Sequence, residues 1–401
     1  MAQQKAAEIT TTIPRARILV AFAAMLILLS ALAIEGGARL FFAIRDVFRD
    51  NVVNIDPSVL DEYEIQDSRQ RWNWQPKPGY SATIDQIILA KRNAGKILSE
   101  ELLKERALQL KVAKNAVIMR INDDGFKGPD IDKTHSRIRI LTIGDSCTFG
   151  TIFDEYSYPR TLERELKRLE KHVEVINAGV EGYGPANVLA RIDEFKALRP
   201  EITTIYIGWN VLYQEPESHG IESYLKSIKL FRKAYEKIQE KIFGHTQVAL
   251  AAYTKPKRVE HDAPEVRALD GFQPSFLTDL ENVVKEMRGA GSKVVLLTLP
   301  GLFVMDEEPT PRALEVGHLP TFTDNPYVLA KMSMEYNKLL RRLAKEQGLV
   351  LVDLEEWSRE SLRPRDKYFF DSVHLYEEGQ VLIGQYLATQ LVSLLSHNSE
   401  K

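Results

Sequence analysis

The chain has 401 residues, of which 44% are hydrophobic and 27% charged, and its formal net charge is −3. This composition is ordinary for a globular protein with a large core, and no dominant basic block is present, which argues against a nucleic-acid partner. The single cysteine, Cys147, excludes an intrachain disulfide and a thiolate metal cluster.

The first predicted element is an apolar helix near the amino terminus. Residues 18–34 (ILVAFAAMLILLSALAI) contain no charged side chain, and Arg15 and Arg17 precede them. This length is at the short end of what a helix needs to cross a bilayer. Ala31 and Ala33 would also suit the cleavage site of a signal peptide, but the apolar run is longer than a usual signal core, so we favour an uncleaved anchor. Both interpretations export the bulk of the chain to the periplasmic or extracellular side.

The predicted anchor divides the amino-terminal part of the chain. A short tail (residues 1–17) precedes it, and residues 35–136 follow as a membrane-proximal region without a clear repeat. Within that region, helical spacing over 98–113 and a β-rich run over 117–121 predict one helix and one short strand. The segment NDDGFKGPD then supplies turn residues.

From residue 137 onward, short apolar runs alternate with amphipathic stretches. Continuous apolar strands alternating with helices indicate a parallel sheet covered on both faces. Five such strands predict a flavodoxin-like, doubly wound α/β domain over residues 137–397. The strands are predicted at 138–143, 173–177, 203–207, 293–298 and 349–353, and the helices at 158–171, 186–198, 277–289 and 327–347.

Two long segments interrupt this alternation. Residues 211–275 form a predicted insertion that contains an amphipathic helix over 221–242. The basic face of this helix is interpreted as a solvated face in preference to a site for anionic glycan or lipid headgroups. Residues 300–326 are rich in proline and acidic residues and are expected to form a loop over the active site.

Polar groups follow the carboxyl ends of the predicted strands, where open parallel sheets bind their ligands. The first strand is followed by Gly-Asp-Ser at 144–146, the second by a turn around Gly182 and the third by Gly-Trp-Asn at 208–210. After the fifth strand, Asp371 precedes His374 by three residues. A hydroxyl, a backbone N–H, an amide and a carboxylate–imidazole pair at one edge are what acyl transfer through a serine ester requires.

Each of these residues also has a purely structural explanation. Ser146 can cap the following helix, Gly182 can permit a positive φ and Asn210 can stabilise a local turn. The Asp-x-x-His pair can consist of a helix cap and a hydrogen-bonded structural histidine. These explanations do not account for the arrival of all the groups at equivalent strand ends.

The spacing of Asp371 and His374 has a chemical meaning of its own. Residues three apart at the start of a helix share one face and can meet. Asp371 can then accept the Nδ1 proton of His374, which leaves Nε2 free to take a proton from a serine. No His-x-His or His-Glu-x-x-His pattern is present, so a metal hydrolase is poorly supported, and we expect neither a metal nor a cofactor.

In this order, the four blocks resemble those of the SGNH hydrolases, also called the GDSL esterase/lipase superfamily, over residues 137 to about 395. The resemblance implies that Ser146 is the nucleophile and His374 the base, with Asp371 orienting it. It also implies an oxyanion hole made by the backbone N–H groups of Ser146 and Gly182 and by the side-chain amide of Asn210.

Two positions depart from the family pattern. Val211 stands where many members have Asp, and Cys147 stands where the family name has Leu. Neither position performs the chemistry, so the departures concern the substrate more than the mechanism. Cys147 is expected to point away from Ser146 into the packed sheet and not to serve as an alternative nucleophile.

We therefore expect a membrane-anchored serine esterase that hydrolyses O-acyl esters, O-acetyl above all, on exported or cell-surface carbohydrate. The same residues would serve an O-acyltransferase, a lipid esterase or a thioesterase, and a non-catalytic glycan-binding or assembly subunit could keep the fold. A binding subunit would not need Ser146, Asp371 and His374 together, which argues against that class. The expected partners are an acylated small-molecule or carbohydrate substrate and the membrane.

Overall fold

The computed structural model of the chain describes residues 23–26, 28–37, 39–40, 60–67, 73–93, 100–214 and 253–396. The contacts divide the chain into two units. One consists of Met1–Asn51 with Glu217–Val248, and the other of Val52–Pro216 with Ala249–Lys401. All the labelled strands and helices described below belong to the second unit.

Two small antiparallel sheets precede the central sheet in the chain. The first pairs β1 (Glu64–Gln66) with β2 (Trp74–Pro76), and the second pairs β3 (Ser81–Thr83) with β4 (Val117–Arg120). Helices α1 (Ile84–Asn93) and α2 (Glu100–Gln109) lie between β3 and β4. The helix predicted at 98–113 and the strand predicted at 117–121 are therefore both present, in shorter form.

A five-stranded sheet forms the centre of the second unit. Its order is β6-β5-β7-β8-β9, and every neighbouring pair is parallel. The predicted doubly wound sheet is confirmed, with the strand order of flavodoxin-like domains. The strands are β5 (Ile138–Gly144), β6 (Val173–Gly179), β7 (Ile202–Tyr206), β8 (Lys293–Leu297) and β9 (Val350–Val352).

Burial explains why these strands could be recognised. All residues of β6 and β7 are buried, as are six of the seven residues of β5. Strands covered on both faces have apolar side chains at successive positions, not at alternate ones. The order of the strands reverses beside β5, so the carboxyl ends of β5 and β7 flank the point where such sheets bind ligands.

Helices cover both faces of the sheet and connect its strands. The helix predicted at 186–198 is two short helices, separated at Arg191, whose backbone leaves helical geometry. The helices are α3 (Ser146–Phe149), α4 (Tyr158–Arg168), α5 (Pro185–Ala190), α6 (Ile192–Ala197), α7 (Trp209–Leu212), α8 (Pro264–Arg267), α9 (Leu277–Gly289), α10 (Pro311–Val316), α11 (Pro326–Gln347), α12 (Leu354–Ser361), α13 (Arg365–Tyr368) and α14 (Glu377–Ser396).

Two predicted helices fall wholly or partly outside the described residues. The amphipathic helix at 221–242 lies entirely outside them. Of the predicted anchor, residues 18–22 and 27 lie outside, whereas 23–26 and 28–34 are helical. Within the part of the chain that the structure describes, no helix has both the length and the apolar character needed to cross a membrane.

Candidate active site

Ser146 is the first residue of α3, immediately after the end of β5. Asp145 caps this helix, since its Oδ1 accepts a hydrogen bond from the backbone N–H of Cys147 at 2.9 Å. The turn is tight enough that a Cβ on Gly144 would lie 1.9 Å from the Thr148 hydroxyl oxygen. Glycine therefore lets the strand turn directly into the helix, which places a partly exposed Ser146 at the carboxyl edge of the sheet.

The Ser146 hydroxyl meets an imidazole that is 228 residues away in the chain. Its Oγ lies 2.7 Å from Nε2 of His374, and Nδ1 of His374 lies 2.7 Å from Oδ2 of Asp371. An ionised carboxylate only accepts hydrogen bonds, so the proton between these two residues is carried by Nδ1. When the imidazole is neutral, Nε2 presents its lone pair to the serine hydroxyl.

Asp371 is oriented by the backbone that follows it. Its Oδ1 accepts hydrogen bonds from the N–H groups of Val373 at 2.9 Å and His374 at 2.8 Å. These bonds close a turn that precedes α14, so the pair does not lie at the start of a helix as predicted. The difference arises because the Asp371 side chain caps the turn and bonds its own backbone two and three residues on. The same bonds direct Oδ2 towards the imidazole.

Charge and burial act in opposite directions on this pair. Burial opposes the ionisation of Asp371, but the neighbouring His374 charge and the hydrogen bonds from His318 and His374 hold its pKa well below the usual range. Burial lowers the pKa of His374, whereas the charge and hydrogen bond of Asp371 outweigh burial and raise the pKa to about 9. The two side chains therefore form an ion pair at neutral pH.

Gly182 and Asn210 lie on the strand ends on either side of β5. Gly182 follows β6 in a turn with φ of +78°, and Asn210 is in α7, directly after β7. Nδ2 of Asn210 donates to the backbone carbonyl of Tyr183 at 3.0 Å. The amide is thus bonded to the turn that contains Gly182. The two residues are 27 positions apart in the sequence, so Asn210 does not use its side chain to stabilise a local turn.

Residues of the two small sheets support the Gly182 turn, which the sequence did not indicate. The indole N–H of Trp74 donates to the Glu181 carbonyl at 3.0 Å, and the Tyr63 hydroxyl donates to the Glu181 carboxylate at 2.8 Å. A Cβ on Gly182 would lie 2.9 Å from the Trp74 ring. Tyr63 and Trp74 are therefore packed against the turn that contains Gly182.

A second histidine contacts Asp371 and was missed by the sequence analysis. Nε2 of His318 lies 3.2 Å from Oδ2 of Asp371. His318 belongs to the 300–326 segment, between α10 and α11, for which a loop over the active site was expected. Glu315 precedes His318 by three residues, but the carboxylate that His318 contacts is Asp371, 53 residues further along the chain. Local spacing therefore could not identify this contact.

His318, Asp371 and His374 are also a possible metal-binding set among the described residues. One ligand atom of each lies within 4.8 Å of the others. Such nitrogen and oxygen donors are those that Zn²⁺ uses in proteins. In this structure each histidine instead contacts Oδ2 of Asp371, and we interpret the three side chains as a proton-transfer arrangement.

Cys147 is buried in the hydrophobic core next to the serine. Its Sγ lies 3.4 Å from the carbonyl oxygen of Val373. Burial raises the pKa of the thiol well above its usual value. A protonated, buried thiol is a poor nucleophile.

The site was compared with known proteins. No curated protein matches the chain. Among solved structures, a G-D-S-L family lipolytic protein from Desulfitobacterium hafniense is 15% identical, with coverage of 63% of this chain and 99% of its own and a TM-score of 0.36. A lipase/acylhydrolase from Enterococcus faecalis is 17% identical (64% and 96% covered, TM-score 0.38). Axe2, an acetylxylan esterase from Geobacillus stearothermophilus, is 18% identical (62% and 92% covered, TM-score 0.37).

The match to a family model is the finding that assigns the chain. The model of the GDSL-like lipase/acylhydrolase family matches residues 142–382, which is more than half of the chain. The matched range begins within β5 and contains Ser146, Asp371 and His374, the residues that carried the resemblance in the sequence. The protein therefore belongs to the GDSL-like lipase/acylhydrolase family and is an ester-hydrolysing enzyme.

Proposed function

We propose that the protein is a serine esterase in which Ser146 attacks the carbonyl carbon of an O-acyl ester. The observation that carries this proposal is the pair of 2.7 Å contacts that joins Ser146 Oγ to His374 and His374 to Asp371. His374 Nε2 takes the serine proton as the Oγ–C bond forms, and Asp371 stabilises the resulting imidazolium. His374 then protonates the departing alkoxide, and water, activated by the same base, releases the acid and restores Ser146.

The oxyanion of the tetrahedral intermediate needs hydrogen-bond donors near the nucleophile. We assign this role to the backbone N–H groups of Ser146 and Gly182 and to the side-chain amide of Asn210. These donors lie on three neighbouring strand ends, and the Asn210–Tyr183 bond connects two of them. The Asn210 amide carries a second N–H besides the one given to Tyr183.

Substitution of this amide tests the assignment. We expect Asn210→Ala to lower kcat by about 10²-fold or more, because one oxyanion donor is removed while Ser146 and His374 remain. The measurement is steady-state hydrolysis of p-nitrophenyl acetate. Gln214→Ala is the matched control, because it removes an exposed amide four residues further on. If the kcat of Asn210→Ala is within about twofold of the wild type, Asn210 does not stabilise the oxyanion.

The pH dependence of the reaction follows from the charge state of His374. The base must be neutral to accept the serine proton, and its pKa is raised to about 9 by Asp371. We therefore expect kcat/KM to rise about tenfold per pH unit below this pKa and to level off above it. A profile of kcat/KM against pH checks this, with far-ultraviolet circular dichroism at each pH to confirm folding. A plateau that already begins below neutrality would contradict the expected ion pair.

We further propose that the substrate is an O-acetyl ester of a carbohydrate. Two exposed aromatic rings next to the site support a sugar ligand. Among the described residues, no other Phe, Tyr or Trp side chain is exposed. Phe370 is 41% exposed and stacks on His374, and Tyr253 is 54% exposed and stacks on His318 at 4.0 Å. The electron-rich faces of such rings attract the positively polarised C–H groups of a sugar ring.

A panel of acyl donors tests the substrate class. The purified full chain is incubated with an O-acetylated xylose oligosaccharide, its butyryl equivalent, phosphatidylcholine vesicles and an acyl thioester. We expect acetate release from the acetylated sugar to have the highest kcat/KM. Faster release of fatty acid from vesicles would indicate a lipid esterase. Acetyl transfer to an added unacetylated oligosaccharide, with little free acetate, would indicate an acyltransferase.

We also propose that the enzyme is a single-pass membrane protein with its active site on the extracytoplasmic side. Residues 18–34 contain no charged side chain, and their described leucines are about half exposed or more. We expect the full chain to stay in the membrane pellet after a carbonate wash and to be cleaved by protease added from the periplasmic side. Release by the wash or protection from the protease would contradict this location.

A further inference from the structure

Asp371 has two imidazole partners, and the proposed mechanism uses only one of them. Its Oδ2 lies 2.7 Å from Nδ1 of His374 and 3.2 Å from Nε2 of His318. Its Oδ1 is occupied by the two backbone N–H groups of residues 373 and 374. The His318 contact therefore lies on the same oxygen that orients the catalytic base.

The contacts of the His318 ring show which nitrogen donates to Asp371. Nε2 faces a carboxylate, which only accepts, so Nε2 carries a proton. The hydroxyl of Tyr213 lies 2.9 Å from Nδ1 and also donates to the backbone carbonyl of His318 at 3.1 Å. Burial and the charge of Asp371 raise the pKa of this phenol well above its ordinary value, so the hydroxyl stays protonated. His318 therefore presents its Nε2–H to Asp371 and is held from the other side by Tyr213.

The position of His318 is fixed by contacts on several sides. The ring stacks on Tyr253 with 4.0 Å between centroids. The backbone N–H of His318 donates to the Ser372 hydroxyl at 2.9 Å, and that hydroxyl donates to the His318 carbonyl. His318 is thus attached through both its ring and its backbone to the turn that supplies Asp371 and His374.

We propose that His318 is a positioning residue of the esterase, whose Nε2–H holds the Asp371 carboxylate with Oδ2 facing Nδ1 of His374. This inference rests on the proposed function, because it concerns the same Ser146-dependent reaction. Without this donor, Oδ2 keeps one hydrogen bond, and the carboxylate, still held at Oδ1, is fixed less firmly on the line to Nδ1. The remaining negative charge is also less neutralised, so it attracts the His374 proton more strongly.

This second effect separates a positioning role from a merely structural one. Loss of the His318 bond raises the pKa of His374, so the rise of kcat/KM moves to higher pH. Asp145 and Glu181 also raise the pKa of His374, but neither changes in the variants below. A shift of the pH profile would therefore report on Asp371.

Two substitutions of His318 test the inference with p-nitrophenyl acetate. His318→Phe keeps a ring against Tyr253 but removes both nitrogens, and His318→Gln restores an N–H near the position of Nε2. We expect His318→Phe to lower kcat about tenfold, with KM within about twofold of wild type, and to move the pH midpoint upward by about half a unit. We expect His318→Gln to recover most of kcat and the wild-type midpoint.

Controls cover folding and the specificity of the effect. Tyr213→Phe keeps the ring but removes the hydroxyl that orients His318, and we expect a smaller loss of kcat, about threefold, with a shift in the same direction. His261→Phe is the matched control, since that histidine also bonds an aspartate and packs on a tyrosine, Tyr327, but does not touch Asp371. We expect no change in His261→Phe.

Three outcomes would overturn the inference. They are a folded His318→Phe with wild-type kcat and pH midpoint, a His318→Gln as defective as His318→Phe, and, if His318→Phe does not fold, a Tyr213→Phe with wild-type kinetics. A wild-type protein that does not hydrolyse p-nitrophenyl acetate would instead contradict the proposed function. The two failures are therefore distinguishable.

Discussion

Replacement of Ser146 by alanine is expected to reduce kcat by about 10⁴-fold or more, the largest effect of any single substitution in this protein. The variant keeps the His374–Asp371 pair and the Asp145 cap of α3, but no hydroxyl remains within reach of Nε2. We therefore expect folding to be retained and covalent labelling by a fluorophosphonate to be abolished. Initial rates with p-nitrophenyl acetate and labelling of the purified full chain measure both effects.

The neighbouring residue supplies the matched control for this experiment. Cys147 is the other nucleophilic side chain at the end of β5, but its thiol is buried and protonated. We expect Cys147→Ala to be labelled at the wild-type rate, with a modest loss of thermal stability from the deleted core atom. Labelling that persists in Ser146→Ala and is lost in Cys147→Ala would show that the nucleophile is the Cys147 thiol and not the Ser146 hydroxyl.

The central sheet could be predicted because its signal is local. Strand β8 is buried from residue 294 to 297, and this burial appears in the sequence as the continuous apolar run Val-Val-Leu-Leu. The ends of the strands are also visible in the sequence, so Ser146 and Asn210 could be placed at one edge of the sheet from the sequence alone. The parallel arrangement then requires those ends to lie side by side.

The supporting residues could not be predicted because their contacts are tertiary. The His318 ring is held by contacts with Tyr213, 105 residues away, and with Asp371 in a different loop. Trp74 reaches the Gly182 turn from a two-stranded sheet whose strands have only three residues each. Loops and short strands carry weak periodic signals, so these partners become visible only when the whole chain is folded.

The Asp371→Asn substitution has the second largest expected effect, a loss of about 10⁴-fold in kcat. It reverses the direction of the hydrogen bond at Nδ1 of His374 and so selects the wrong tautomer of the imidazole. The backbone N–H groups of Val373 and His374 require an acceptor at Oδ1, so the amide places its oxygen there. Its NH₂ group then replaces Oδ2 and donates to Nδ1 of His374. The imidazole must carry its proton on Nε2, where it cannot accept the proton of Ser146.

The pH profile distinguishes this mechanism from simple loss of structure. The charge and hydrogen bond of Asp371 are the largest influences that raise the pKa of His374 to about 9, so removing them lets burial lower the pKa. We expect the residual kcat/KM of Asp371→Asn to reach its plateau at lower pH than the wild type. Asp262→Asn, which neutralises the exposed partner of His261, should change neither rate nor profile. A variant within about tenfold of wild-type activity, with its midpoint still near 9, would show that His374 does not depend on Asp371 for its tautomer or its charge, and the proposed proton path would then be wrong.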